Sequence, residues 1–118
     1  MHAMSIPSLT LLLICCASEA VAHASLLEAV PGPDARVGGD SVSIELRFDS
    51  RLDPRFSRLK LVRSDNSPAT LILRRGMAPS VLSATSQGLD EGQYILRWQV
   101  LSVDGHANQG EIKFQVGR

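Results

Sequence analysis

Cysteine occurs at only two positions of this 118-residue chain, and both, Cys15 and Cys16, lie inside its one long apolar run. The rest of the chain has none, so a disulfide framework is excluded there and the fold must rest on an ordinary hydrophobic core. Charge of one sign is missing as well, since twelve Lys and Arg stand against twelve Asp and Glu. That balance gives no electrostatic footprint for nucleic acid or for an anionic membrane surface. No second hydrophobic span follows the first, and no helical stripe of any length can be traced. The chain beyond the apolar run is therefore expected to be soluble rather than membrane-spanning. Histidine is scarce: His2, His23 and His106 are the complete set.

The apolar run, residues 9–17, is too short to cross a bilayer as a helix, which takes about 20 residues. Ser18 and Glu19 follow it, and then the small-x-small triplet Ala20-Val21-Ala22, in the layout of a cleaved secretory signal. Cleavage after Ala22 makes His23 the first residue of the exported chain. Ala22-His23-Ala24 is a second triplet of the same kind, and cleavage there makes Ser25 the first residue instead. These residues by themselves leave both sites open. With residues 1–22 as signal, residues 23–118 make one domain carrying twelve cationic and eleven acidic side chains.

That domain reads as strands throughout. Val42, Ile44, Leu46 and Phe48 alternate with Ser43, Glu45 and Arg47, the pattern of a half-buried strand. Leu59 with Leu61 and Leu71 with Leu73 mark two further runs, and Val81-Leu82 a weaker one. Tyr94, Leu96, Trp98 and Val100 form the longest run, Ile112, Phe114 and Val116 the last, and residues 25–29 an opening strand. Turn residues fill the gaps, among them Pro31-Gly32-Pro33-Asp34, Asp53-Pro54, Asp65-Asn66-Ser67-Pro68 and Asp90-Glu91-Gly92. About seven short strands in this length predict an all-β fold, an immunoglobulin-like Greek-key β-sandwich. Asp90-x-Gly92-x-Tyr94 has the spacing of a tyrosine corner, in which the Tyr94 hydroxyl bonds backbone a few residues upstream. Trp98, the single tryptophan, is expected at the centre of the core.

One set of donors stands apart from this pattern. As a first residue, His23 offers its α-amine and its imidazole to one metal ion together. Asp104-Gly105-His106 offers a carboxylate and a third nitrogen. In extended chain, residues two apart project to one side, and Gly105 between them adds backbone freedom. Such nitrogen and oxygen donors suit the tetragonal preference of copper(II), which tops the divalent affinity order. His23, Asp104 and His106 are thus the candidate ligands for one copper(II) ion. Each also has a plainer explanation: Asp104-Gly105 as a common hairpin dipeptide, His106 as a loop histidine, His23 as the tail of a signal. Coincidence favours the metal, because outside His2 these are the only two histidines, one at the expected terminus and one beside an Asp.

Three stretches resemble a known family. His23-Ala-Ser-Leu-Leu-Glu-Ala-Val-Pro31 resembles the mature terminus of the CopC-type periplasmic copper-binding proteins of bacterial copper resistance and homeostasis. Ile44-Glu-Leu-Arg-Phe48 resembles their second-strand signature. Gly92-x-Tyr94-x-x-x-Trp98-x-Val100-x-Ser102-x-Asp104-x-His106-x-x-x-Gly110 resembles their most specific stretch. The resemblance implies cleavage between Ala22 and His23, a periplasmic location and a monomeric, non-enzymatic protein. It further implies a histidine brace in which His23, Asp104 and His106 hold copper(II), and an inner-membrane copper-transport protein as partner.

Two departures qualify it. Some members hold copper(I) in a methionine-rich central loop, where this chain has only Met77, so a copper(II)-only member is expected. Members often carry an acid two residues beyond the Phe matching Phe48; Ser50 stands there, with Asp49 one residue early. A one-residue shift within a strand turns a side chain to the opposite face, which argues against a role for Asp49 at the site. Two other functions compete with copper carriage. A copper monooxygenase also uses a histidine brace but leaves coordination positions open, and Asp104 would fill one. A metal-free immunoglobulin-like interaction module would show no copper-dependent stability.

Overall fold

The computed structural model describes residues 25–74 and 78–117. The expected signal, His23 and Met77 lie outside the described residues. Eight strands form: β1 (Leu26–Val30), β2 (Arg36–Val37), β3 (Val42–Phe48), β4 (Arg58–Arg63), β5 (Ile72–Arg74), β6 (Val81–Ser86), β7 (Gly92–Leu101) and β8 (Ala107–Val116). They build two four-stranded sheets, ordered β1-β3-β6-β5 and β2-β8-β7-β4. Every pairing is antiparallel except that of β2 with β8. The chain changes sheet at every connection except those between β5 and β6 and between β7 and β8. This is the all-β, immunoglobulin-like sandwich that the alternation predicts. The strand beyond the expected seven is β2, two residues long and too short to carry a period.

The core follows from the two inward faces. Val42, Ile44, Leu46 and Phe48 of β3 are buried while Ser43, Glu45 and Arg47 between them are exposed. Tyr94, Leu96, Trp98 and Val100 of β7 and Ile112, Phe114 and Val116 of β8 are buried with them. The Tyr94 and Phe114 rings, paired across β7 and β8, stack with centroids 6.0 Å apart. The Tyr94 hydroxyl donates to the Asp90 carbonyl at 2.7 Å, so the tyrosine corner forms as expected. Trp98 belongs to the core but not to its centre: it keeps 8% of its surface, against 2% for Tyr94 and 1% for Phe114. Its indole N–H donates to Asn108 Oδ1 at 2.9 Å, which satisfies the one polar group of the ring.

Two weak runs turn out differently from the pattern that marked them. All three residues of β5 are exposed, and Leu71, just before it, is the residue that packs on the core. Conversely, β6 lies inside its sheet between β3 and β5, although its sequence carries few large apolar residues. Ser83, Ala84 and Ser86 are buried there. Small side chains fill a crowded interior without leaving an apolar period to read.

Gly110 shows how tightly one face is fitted. A Cβ at this position would stand 2.5 Å from Trp98 Cζ2, a distance that no real packing allows. Trp98→Ala is expected to cost roughly 3–5 kcal/mol as a large core truncation. Gly110→Ala is expected to cost about 1–3 kcal/mol by overpacking. Denaturant unfolding of the two variants and their double checks both figures, because the Gly110→Ala penalty should vanish once the indole is gone.

Candidate metal centre

β7 and β8 run in register down to the Leu101–Ala107 pair, leaving residues 102–106 as the loop of a hairpin. Two backbone bonds close that loop. Ser102 N–H donates to the His106 carbonyl at 2.8 Å, and Gly105 N–H donates to the Ser102 carbonyl at 2.9 Å. Gly105 has φ +96°, a left-handed conformation that a side chain would oppose, so glycine is needed there. Asp104 and His106 flank it.

The Ser102 hydroxyl organises the loop from beneath. Ser102 is 1% exposed; its hydroxyl donates to Asp104 Oδ1 and accepts the His106 backbone N–H at 3.1 Å. The Asp104 carboxylate is thereby turned towards the His106 ring, with 3.2 Å between Oδ1 and Nδ1. The Ser102 hydroxyl, and after it the His106 ring, hold the Asp104 carboxyl below the usual carboxylate range. Asp104 is therefore an anion at neutral pH and in mild acid. An imidazole nitrogen and an ionised oxygen this close, both partly open to solvent, could offer two donors to a divalent transition metal. Among the described residues no group of three or more His, Cys, Asp and Glu comes together as a metal site. Asp104 and His106 supply two donors.

A second segment reaches this loop. Residues 49–57 carry the chain from β3 in one sheet to β4 in the other. At its start, Asp49 N–H donates to the Ser25 carbonyl at 2.9 Å, and Ser25 N–H donates back to Asp49 Oδ1 at 2.8 Å. Further along, the Arg51 carbonyl accepts Val103 N–H at 3.0 Å, Leu52 bridges Ser102, and Asp53 N–H donates to the Leu101 carbonyl at 2.8 Å. The beginning of β1 and the 102–106 loop are thus tied to one short crossover at one end of the sandwich.

Of the three candidate ligands, the fold brings Asp104 and His106 together. His23 lies outside the described residues. Two residues at this end carry contacts that the sequence did not reveal. Ser102 is visible only as a Ser-x-Asp spacing. The pleat of a strand would turn Asp49 away from this end, yet β3 ends at Phe48 and Asp49 already belongs to the crossover. The alternation rule does not reach it.

The family model of the CopC domain matches residues 26–117. The chain belongs to the CopC family. Protein YobA of Escherichia coli K12 is 31% identical over 98 residues, covering 80% of this chain and 79% of that protein. CopC from Methylosinus trichosporium OB3b has the same fold at a TM-score of 0.73 and 28% identity, over 80% of this chain and 94% of that one. PcoC, a methionine-rich copper resistance protein from Escherichia coli, gives a TM-score of 0.69 at 27% identity, over 80% and 99%. The CopC match takes in Asp49, Ser102, Asp104 and His106 and begins three residues after His23. Among CopC structures the contrast with PcoC is methionine: this chain has three, at positions 1, 4 and 77.

The Ser102 hydroxyl can be tested without metal. Ser102→Ala removes a buried donor and acceptor and is expected to cost on the order of 1 kcal/mol at neutral pH. A carboxyl whose pKa is lowered by folding stabilises the protein above its unfolded pKa and loses that contribution as pH falls through the folded value. The stability gap between wild type and Ser102→Ala should therefore narrow below the usual carboxylate range. Urea unfolding as a function of pH checks it, and an NMR titration of Asp104 should move upward in the variant.

Proposed function

We propose that this CopC-family chain is a periplasmic copper(II)-binding protein that holds one ion through the His23 amine and imidazole, Asp104 and His106. It sequesters the ion or passes it to an inner-membrane copper-transport protein. The observation that carries this reading is the shared crossover. Ser25, two residues from His23, is bonded to Asp49, and the Asp104–His106 loop is bonded to the residues that follow Asp49. Two residues of chain span at most roughly 7 Å, a reach short enough to let an amine at residue 23 serve a site at this end of the sandwich. Family membership and the 3.2 Å carboxylate–imidazole pair support the same reading.

Binding fits this donor set better than oxygen chemistry does. An ionised Asp104 beside His106 would fill a coordination position that an oxygen-activating copper leaves open. With Met77 as the one methionine after the expected signal, the soft thioether donors that select copper(I) are scarce, and copper(II) alone is the expected cargo.

His106→Ala and Asp104→Ala should each weaken copper(II) binding by at least about tenfold, the lower end of what even an outer-sphere partner contributes. Both should leave the apo-protein folded, since each side chain sits on an open loop. Chelator competition and thermal unfolding read the two effects separately. The brace itself is tested at the terminus. One additional residue before His23 keeps every side chain but turns the amine into an amide, and copper(II) affinity should fall with an altered nitrogen pattern in the electron paramagnetic resonance spectrum. Unchanged affinity, or an exported chain whose mass begins at Ser25, would sink the reading.

Bound copper(II) should raise the unfolding temperature near neutral pH by mass action, and zinc(II) should raise it less. Protons compete for the nitrogen donors, so the gain should fade on acidification. Calorimetric scans with and without metal, at neutral pH and near pH ~4.5, would contradict ligation by amine and imidazole if the two gains were equal.

A further inference from the structure

The interaction between Asp49 and Ser25 has no counterpart in a simple strand pairing. β1 and β3 are in register at Leu26 and Phe48, and the Asp49 N–H bond to the Ser25 carbonyl extends that ladder by one residue. There the ladder runs out, because the chain turns away into the crossover. The Asp49 side chain takes over as acceptor: its Oδ1 receives Ser25 N–H at 2.8 Å and the Ser50 hydroxyl at 3.1 Å. Ser25 is gripped from both sides by one residue. The carboxylate is exposed and packs on nothing in the core.

We propose that Asp49 is a positioning residue for the copper(II) site, fixing the point from which the chain continues to His23. The inference rests on the brace reading given above. Its physical basis is pre-ordering. An amine ligand at the end of a free tail must lose backbone entropy each time metal binds, and a chain already held at Ser25 has lost part of it in folding. The hold also has a direction. Asp49 stands two residues before Arg51, whose carbonyl accepts Val103 N–H beside Asp104, so the grip on Ser25 and the support of the 102–106 loop belong to one short stretch of chain. Asp49 need touch neither metal nor ligand to act.

A thermodynamic square separates this role from a general effect of charge or folding. Its four chains are the mature protein beginning at His23, its Asp49→Ala variant, and both of these with one additional residue before His23. In the chains beginning at His23, Asp49→Ala should weaken copper(II) binding roughly tenfold, the size of effect typical of groups that orient metal ligands. In the extended chains, where the amine is gone, the same substitution should change little. Asp49→Asn keeps an oxygen that can accept Ser25 N–H and should restore most of the affinity in the chain beginning at His23. Copper(II) dissociation constants from chelator competition supply the reading, with apo thermal unfolding as a check that each chain is folded. Equal losses from Asp49→Ala in both backgrounds, or an Asp49→Asn variant as weak as Asp49→Ala, would overturn the positioning role. An extension that weakens binding beside an indifferent Asp49→Ala would overturn that role alone. An extension that leaves affinity unchanged would overturn the brace, and the positioning role with it.

Discussion

Where β3 ends, the chain leaves one sheet for the other, and residues 49–53 bond to both as they cross. Ser25 and Asp49 exchange two bonds on the side of β1, while Arg51, Leu52 and Asp53 meet Val103, Ser102 and Leu101 on the side of the β7–β8 hairpin. A sandwich needs such a crossing for connectivity alone. Here the same few backbone groups also fix the distance between the start of the first strand and the loop between the last two. The proposed copper site depends on that distance, since its donors come from opposite ends of the sequence.

The hairpin loop shows the same economy on a smaller scale. A buried serine, a glycine in a left-handed conformation and two backbone bonds within the loop leave Asp104 and His106 facing each other. The strand ladder below supplies rigidity: Trp98 lies over Gly110, with Asn108 on its indole nitrogen, all within four residues of the loop. Interactions of this kind keep the loop ordered at little cost to the fold, because its polar groups are satisfied by one another or by solvent. Among the described residues no buried side-chain nitrogen or oxygen lacks a hydrogen-bond partner.

Membership of the CopC family and the loop geometry bear on different questions. The family match and the solved relatives establish which fold this is. The paired Asp104 and His106 give that fold a chemical capacity in this particular chain. The shortage of methionine separates it from PcoC, described as methionine-rich, and narrows the proposed cargo to the oxidised ion.

Alternation along β3, β7 and β8 was legible because one face of each strand is buried and the other wet, so period two is imposed on the sequence itself. The tyrosine corner and the Asp-Gly-His loop were legible for a related reason: each is made by residues a few positions apart, within reach of local backbone geometry. By itself, then, the sequence determined an all-β sandwich, its major strands, and Asp104 with His106 as one local pair. It could not rank β6 as an interior strand, because small buried residues leave no period. Nor could it reveal that β5 is exposed or that Trp98 sits off-centre, since both depend on what the opposite sheet covers. Only tertiary structure decided that Asp49 grips Ser25 and that Ser102 reaches beneath the loop it begins. The grip on Ser25 spans 24 positions and exists because a strand ends and the chain crosses between sheets, an event with no periodic trace in the residues that make it.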